Sequence, residues 1–152
     1  MKLGMTEETV KFAREMFSKN YNCAQASMKA ILTVRGLDFD QLLHLAGGLG
    51  AGIAHEGNVC GAVTGSIAAL GVIEGRYHSD DIEQKEAAYA KGEEFIRKFK
   101  QKHGSILCND LTGIEMRDLK ARKIAMENGT FNRSCPSFVE DAIRIALEIA
   151  TK

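Results

Sequence analysis

The stretch from Gly47 to Gly75 reads GGLGAGIAHEGNVCGAVTGSIAALGVIEG, which combines frequent glycine with high hydrophobicity. A glycine inside a helix costs roughly 0.5–1 kcal/mol relative to alanine, so Gly61, Gly65 and Gly71 require a structural reason. Gly61, Gly65 and Ala68 or Ala69 recur at three- to four-residue spacing, which puts small residues along one face of a helix. We therefore expect another helix, or a compact cofactor, to lie against bare main chain at this face.

Cys60 stands at the first turn of this apolar helix. Free backbone N–H groups and the positive end of the helix dipole favour a thiolate there, so Cys60 is a candidate reactive or metal-ligating residue. The alternative is tight helix packing around one buried cysteine. A membrane span is not expected, because residues 59–73 are short of the ~20 that a bilayer requires.

The rest of the chain predicts an all-α bundle of about six helices, because no stretch of any length alternates like a β-strand. The glycine-rich segments form a central helix pair in this prediction. An apolar stripe of Ile82, Tyr89, Ile96 and Phe99 marks the longest helix, which Gly104 ends. The expected helix starts lie at or near Thr6, Asn22, Asp38 or Asp40, Cys60, Ser79 to Asp81, Asp118, and Cys135 with Pro136 at the first helical position.

Length and charge limit the function classes. A chain of 152 residues predicts a single domain over 1–152. Twenty basic residues balance twenty acidic ones, which argues against nucleic-acid and anionic-membrane binding and makes self-association as a homodimer possible. The first ten residues lack the apolar region of a secretory signal, so we expect a cytoplasmic protein.

Four cysteines, at positions 23, 60, 108 and 135, occur without any CxxC pair. A reducing compartment disfavours permanent disulfides and favours metal, cluster or redox use, although scattered cysteines can also be inert core residues. Each is predicted at or just before a helix N-terminus, with Asn109 and Asp110 as cap candidates after Cys108. Such positions suit anionic sulfur, so the sequence predicts one shared site assembled by the fold.

Two histidines lie in or near the glycine-rich stretch. His44 and His55 are each expected to be hydrogen-bonded structural residues rather than ligands. His55 precedes Cys60 closely enough to influence the reactivity of its thiol.

The motif Cys60-Gly61-Ala62-Val63-Thr64-Gly65 resembles the CGAxxG signature of the redox-active proteins named for the pattern C_GCAxxG_C_C. Residues 21–26 (YNCAQA), 108–113 and 135–139 extend the resemblance to all four cysteines in the family's order. Membership implies a helical fold and a redox role without naming a reaction. Some relatives are fused to c-type haem domains, but this chain has no CxxCH and therefore no covalent haem site.

The leading hypothesis is that Cys23, Cys60, Cys108 and Cys135 ligate an iron–sulfur cluster, most simply [2Fe–2S], for electron transfer with an unknown redox partner protein. Gly61 and Gly65 would let the cluster approach backbone N–H donors. One alternative is thiol–disulfide chemistry without metal, with Cys60 as the attacking thiolate and three possible pairings. Others are a structural four-cysteine zinc site or an inert helical scaffold.

Other chemistries have no support in the sequence. No serine, histidine and aspartate spacing suggests hydrolysis, and the glycine run lacks the GK[ST] of a phosphate loop. No predicted strand precedes it, as a dinucleotide site would require.

Overall fold

The computed structural model describes residues 3–75 and 78–150, and within these ranges every regular element is a helix. Six helices have nine residues or more and three have four or five, so the predicted all-α bundle of about six helices is confirmed. In chain order they are α1 (Leu3–Ser18), α2 (Cys23–Val34), α3 (Leu42–Leu45), α4 (Gly50–Ile53), α5 (Gly61–Glu74), α6 (Ile82–His103), α7 (Cys108–Thr112), α8 (Leu119–Glu127) and α9 (Thr130–Ala150).

Helices α2 and α5 form the most extensive helix contact of the bundle. A Cβ atom added to Gly61 would lie 2.8 Å from the backbone nitrogen of Ala24, and one added to Gly65 would lie 2.6 Å from the Ala24 carbonyl oxygen. The expected contact of another helix with bare main chain is thus present. Gly71 has nothing within 4 Å of such an atom and takes no part in it.

The other long helices pack around this pair. Helix α9 contacts α1, α2, α5 and α6, and α6 contacts α5. Phe95 and Phe99 of α6 and Ile143 and Leu147 of α9 are almost completely buried between them. Helix α8 lies at the edge of the bundle, where its main contact is α9.

Several helix ends agree with the sequence prediction and several differ. Asn22, Asp81 and Asp118 are the N-caps of α2, α6 and α8, as expected. Helix α1 has already started at Leu3, so Thr6 is not its cap. The helix expected from Asp38 or Asp40 is reduced to the four residues of α3, which ends before the glycine pair at 47 and 48.

The last helix begins earlier than predicted. Asn128 accepts hydrogen bonds from both the backbone N–H and the hydroxyl of Thr130, which starts α9 at that residue. Cys135 and Pro136 therefore lie inside α9, and the prediction that they form its N-terminus is wrong. Proline lacks an N–H, so the interior position costs α9 one backbone hydrogen bond, to the carbonyl of Asn132.

The predicted stripe of α6 is buried only in its second half. Phe99 is fully buried and Ile96 half-buried, whereas Ile82 and Tyr89 are 57% and 60% exposed. The first half of α6 touches the end of α5 through polar contacts, from Gln84 to the Glu74 carbonyl and from Lys91 to the Glu74 carboxylate. Among the described residues, no helix combines the length and apolarity needed to cross a bilayer.

Candidate functional site

The four cysteines line a single cavity of about 380 Å³ that is partly open to solvent. They come from four separate elements: Cys23 is the first residue of α2, Cys60 is the N-cap of α5, Cys108 is the first residue of α7, and Cys135 lies within α9. The fold therefore brings together residues up to 112 positions apart in the sequence. All four are free thiols, and Cys60, Cys108 and Cys135 are less than a tenth exposed.

A short antiparallel pairing holds Cys60 beside Cys108. The N–H of Cys60 donates to the Ile106 carbonyl over 2.8 Å, and the N–H of Cys108 donates to the Asn58 carbonyl over 2.6 Å. An isolated β-bridge between Val59 and Leu107 lies between these bonds. Extended backbone on both segments thus delivers each cysteine to the start of its helix.

Asn109, next to Cys108, connects this backbone pairing to residues 115 and 116 through side-chain hydrogen bonds. Its side-chain oxygen accepts the N–H of Met116 over 3.0 Å, and its amide nitrogen donates to Glu115. A Cβ atom at Gly57 would lie 2.0 Å from that side-chain oxygen, so only glycine fits there. Asn109 was expected as a cap candidate for α7, but the N-cap is Leu107, and Asn109 instead contacts the backbone of Gly57 and of Met116.

The backbone before this pairing is strained. Ala51, Gly52, Ile53, Ala54 and His55 all have φ between 48° and 69°, which makes one left-handed turn. A non-glycine residue in this conformation costs roughly 1–2 kcal/mol. Ala51, Gly52 and His55 line the cavity, so the strained turn forms part of its wall. His55 is otherwise exposed, as is His44.

Asn22 and Gln25 lock the glycine-rich segment onto α2. They form a capping box, in which each side chain accepts the backbone N–H of the other. The Asn22 amide also donates to the carbonyls of Ala46 and Gly47, and the Gln25 amide donates to Leu43. The two residues therefore position both Cys23 and the strained turn.

The sulfur atoms are close enough to interact. The thiols of Cys135 and Cys60 both act on the Cys23 thiol. The pKa of Cys23 is raised far above its ordinary value, mainly by its hydrogen bond with Cys135. The hydrogen bond with Cys60 lowers this pKa, and burial of the thiol raises it. Burial raises the pKa of Cys108 to about 11, with a smaller contribution from Cys60.

Cys60 does not have the lowered pKa that its helix position suggested. Its hydrogen bond with Cys23 and its burial raise the pKa well above the ordinary value, while the N–H groups of Ala62 and Val63 act in the opposite direction. Crowding and desolvation thus outweigh the helix N-terminus. Without a cation nearby, the thiols of Cys23, Cys60 and Cys108 keep their protons at neutral pH.

The remaining walls of the cavity are mostly apolar. Arg122 is the only lysine or arginine side chain among the described lining residues, and it donates to the Met116 carbonyl over 2.7 Å. The side chains of α8 and of the first turns of α9 close the cavity on this side; sequence reasoning had not assigned these residues to the site. The apolar lining residues are Phe17, Leu111, Met116, Met126, Phe131 and Phe138.

The arrangement of donors favours some occupants over others. Within residues 3–75 and 78–150, no three cysteine, histidine or acidic side chains converge closely enough to hold one metal ion. A tetrahedral zinc site requires four donors at about 2.3 Å from a single point for sulfur. A [2Fe–2S] cluster takes two cysteines at each of two irons. The four thiols, contributed singly by four elements around the cavity, match the number of cysteine ligands that such a cluster takes.

An all-helical bundle with four cysteines from four elements around one cavity defines the class of this protein. The family model described as "Putative redox-active protein (C_GCAxxG_C_C)" matches residues 21–149, which include every cysteine. The chain belongs to this family, as the sequence motif had indicated. It is also 30% identical, over 121 residues, to an uncharacterized protein of Archaeoglobus fulgidus, which covers 74% of this chain and 80% of that protein. No solved structure matches the chain.

Proposed function

We propose that this member of a redox-active family holds an iron–sulfur cluster on Cys23, Cys60, Cys108 and Cys135 and serves in electron transfer. The observation that supports the proposal is the shared cavity, to which four sequence-distant elements each contribute one thiol. When bound, a [2Fe–2S] cluster would supply a one-electron redox centre, and four cysteines complete its ligand set.

The chain's own groups have defined tasks in this proposal. Ligation requires thiolates, so Cys23, Cys60 and Cys108, whose pKa values are raised, would give up their protons as the cluster binds. The backbone N–H groups of Ala62 and Val63 act to lower the pKa of Cys60 and so favour its thiolate. The apolar wall limits the access of water. Gly61 and Gly65 let α2 approach α5 closely enough for Cys23 and Cys60 to meet.

Anaerobic reconstitution tests the cluster directly. Purified protein treated with iron and sulfide without oxygen should gain visible charge-transfer absorption and about two irons and two acid-labile sulfides per chain. The Cys108→Ser and Cys135→Ser variants should lose most of both, whereas Ser134→Ala, next to Cys135 but outside the cavity lining, should not. A colourless wild-type sample without iron would contradict the proposal, and one zinc per chain would replace it with a structural metal site.

Thiol–disulfide chemistry is a second candidate, because Cys23 lies within hydrogen-bonding reach of two other thiols. Two thiols would form a disulfide, giving up two protons and two electrons to an oxidant such as glutathione disulfide, which leaves as two glutathione molecules. The raised pKa values slow this reaction at neutral pH.

Mass spectrometry separates the two candidates. Mild oxidation by glutathione disulfide should leave four alkylatable thiols in the cluster-free protein if the cluster proposal is right. Rapid formation of a Cys23–Cys60 or Cys23–Cys135 disulfide would favour the second candidate, and its loss in Cys23→Ser would assign the shared partner.

A further inference from the structure

Helix α8 presents a basic and apolar surface beside the cysteine cavity. Leu119, Ile124 and Met126 are 57%, 51% and 67% exposed, and Lys120 and Lys123 are exposed between them. The spacing of four and three residues from Leu119 to Lys123 to Met126 places them on one stripe of the helix. We call these five residues the α8 patch.

The charge of this region differs from that of the chain as a whole. Residues 117–133 contain five basic and two acidic side chains, a net charge of +3, in a chain whose net charge is zero. One acidic residue, Asp118, caps α8 through its side chain, and Arg117, just before it, pairs with Glu56. The segment that carries the patch is therefore more basic than the chain as a whole.

The patch lies on the same helix that closes the cavity, and one of its residues, Met126, reaches the cavity wall. Arg122 and Met126 line the cavity together with the four cysteines, while Lys120, Lys123 and Ile124 do not. A molecule seated on the patch would be separated from the thiols by a single helix, about 10 Å across with its side chains. Such a molecule could exchange electrons with a redox centre at the cysteines without entering the cavity.

We propose that the α8 patch docks an electron-carrier protein with an acidic surface; this inference depends on the proposed redox function. Exposed apolar residues with charged neighbours are typical of a protein docking surface, and complementary charge speeds the encounter. In the transfer step the reduced carrier loses one electron and the cysteine site gains it. No bond forms or breaks and no proton is required.

Two other occupants are less consistent with the patch. A second copy of the chain, related by a twofold axis through α8, would bring Lys120 and Lys123 near their own equivalents, and like charges repel. A membrane surface would contact only three apolar side chains on a helix of nine residues. Stable membrane attachment by so few groups requires a second anchor.

The test measures binding separately from electron transfer. Two acidic carriers, a plant-type ferredoxin and a flavodoxin, are titrated into the protein by calorimetry at low and high salt, and the iron and sulfide content of the same sample is determined. The docking variant is Lys120→Glu/Lys123→Glu. The matched control is Lys11→Glu/Lys100→Glu, which makes the same charge change at exposed positions on α1 and α6. Circular dichroism confirms that both remain folded.

The expected result is binding of at least one carrier that weakens with salt, and a Kd that rises at least tenfold in the docking variant and less than twofold in the control. The proposal is overturned if neither carrier binds, or if both variants lose binding equally. Co-sedimentation with anionic phosphatidylglycerol vesicles, or dimerisation abolished by the docking variant, would also overturn it.

Reduction by dithionite distinguishes this inference from the proposed function. If dithionite bleaches the visible absorption but neither carrier binds, the cluster proposal survives and the docking proposal fails. If a carrier binds through the patch but the protein holds no reducible centre, the docking site survives and the electron-transfer role fails.

Discussion

Two walls of the cysteine cavity differ in the kind of packing that forms them. On one side, α2 and α5 meet through Gly61, Gly65 and Ala24, and their backbones are in direct contact. On the other side, α8 contributes long side chains such as Arg122 and Met126, and its main packing partner is α9. The first wall is buried in the core, and the second is largely exposed.

The difference shows how the site combines rigidity with access. Closely packed main chain has little room to adjust, so the α2–α5 wall fixes Cys23 and Cys60 relative to one another. Long side chains on a surface helix tolerate change, so the α8 wall can accept different contacts without disturbing the thiols. The two walls should therefore differ in how strongly substitutions within them change stability.

The largest expected effect follows from filling the α2–α5 contact. A Cβ atom at Gly65 would lie 2.4 Å from the Ser27 hydroxyl oxygen and 2.6 Å from the Ala24 carbonyl oxygen. Gly65→Val should therefore lower the free energy of unfolding by about 3 kcal/mol or prevent folding, because backbone on α2 must move. Urea unfolding of the reduced, cluster-free protein measures the change.

Gly71→Ala is the matched control in the same helix. Nothing lies within 4 Å of a Cβ atom at Gly71, so alanine should raise the free energy of unfolding by about 0.5–1 kcal/mol through helix propensity. Equal losses in the two variants would mean that glycine in α5 serves flexibility rather than close approach.

The features that were predicted correctly from the sequence depend on residues close together along the chain. The glycine spacing predicted the α2–α5 contact, and Asn22 predicted the start of α2, because caps and small-residue strips act within one or two turns. The all-α class followed from periodicity. The six-residue motif from Cys60 to Gly65 and the order of the cysteines identified the family.

The features that were missed depend on contacts between distant segments. Cys135 was assigned to a helix start because Pro136 follows it, but α9 begins at Thr130, six residues before the proline, where the Asn128 side chain accepts the Thr130 N–H. The expectation of a lowered pKa for Cys60 was wrong because Cys23, 37 residues earlier in the sequence, lies beside Cys60 in the fold and raises that pKa. The role of α8 as a cavity wall has no signal in its own sequence, which reads as an ordinary surface helix.

A second prediction compares two helix caps. Asn22 caps α2 and also donates to the Ala46 and Gly47 carbonyls, whereas Asp81 caps α6 through one bond to the Gln84 N–H. Asn22→Ala should cost about 2 kcal/mol of unfolding free energy and Asp81→Ala about 1 kcal/mol, because only the first also releases the glycine-rich segment. Thermal unfolding of both variants checks the difference, and equal losses would mean that the Asn22 contacts to the loop add nothing.

A third prediction concerns pH. The pKa of the Cys108 thiol is ordinarily 9.0 and is about 11 in the folded protein. Below pH 9 the thiol is protonated in both the folded and the unfolded chain, so its full contribution to the free energy of unfolding is present there. Between pH 9 and 11 the unfolded chain releases the proton and the folded protein does not. Stability of the cluster-free, reduced protein should therefore fall over this range, by on the order of 1 kcal/mol from this thiol.

Cys108→Ser isolates this contribution, since serine does not titrate there. The variant should show a shallower decline in melting temperature from pH 8.5 to 10.5 than the wild type. An unchanged slope would mean that Cys108 is less buried in solution than in the structure. Cys23 and Cys60 should add to the wild-type decline, because their pKa values are also raised.

The smallest effect is expected on the α8 wall. Ile124 is 51% exposed and does not line the cavity, whereas Val63 of α5 is fully buried. Ile124→Ser should change the free energy of unfolding by about 0.5 kcal/mol or less, and Val63→Ser should lower it by at least about 2 kcal/mol. A large loss of unfolding free energy in Ile124→Ser would mean that α8 is covered in solution, by another copy of the chain or by a partner. Sedimentation at two protein concentrations would reveal whether another copy covers it. A small change would leave α8 as an exposed wall whose apolar residues are free to contact a carrier protein.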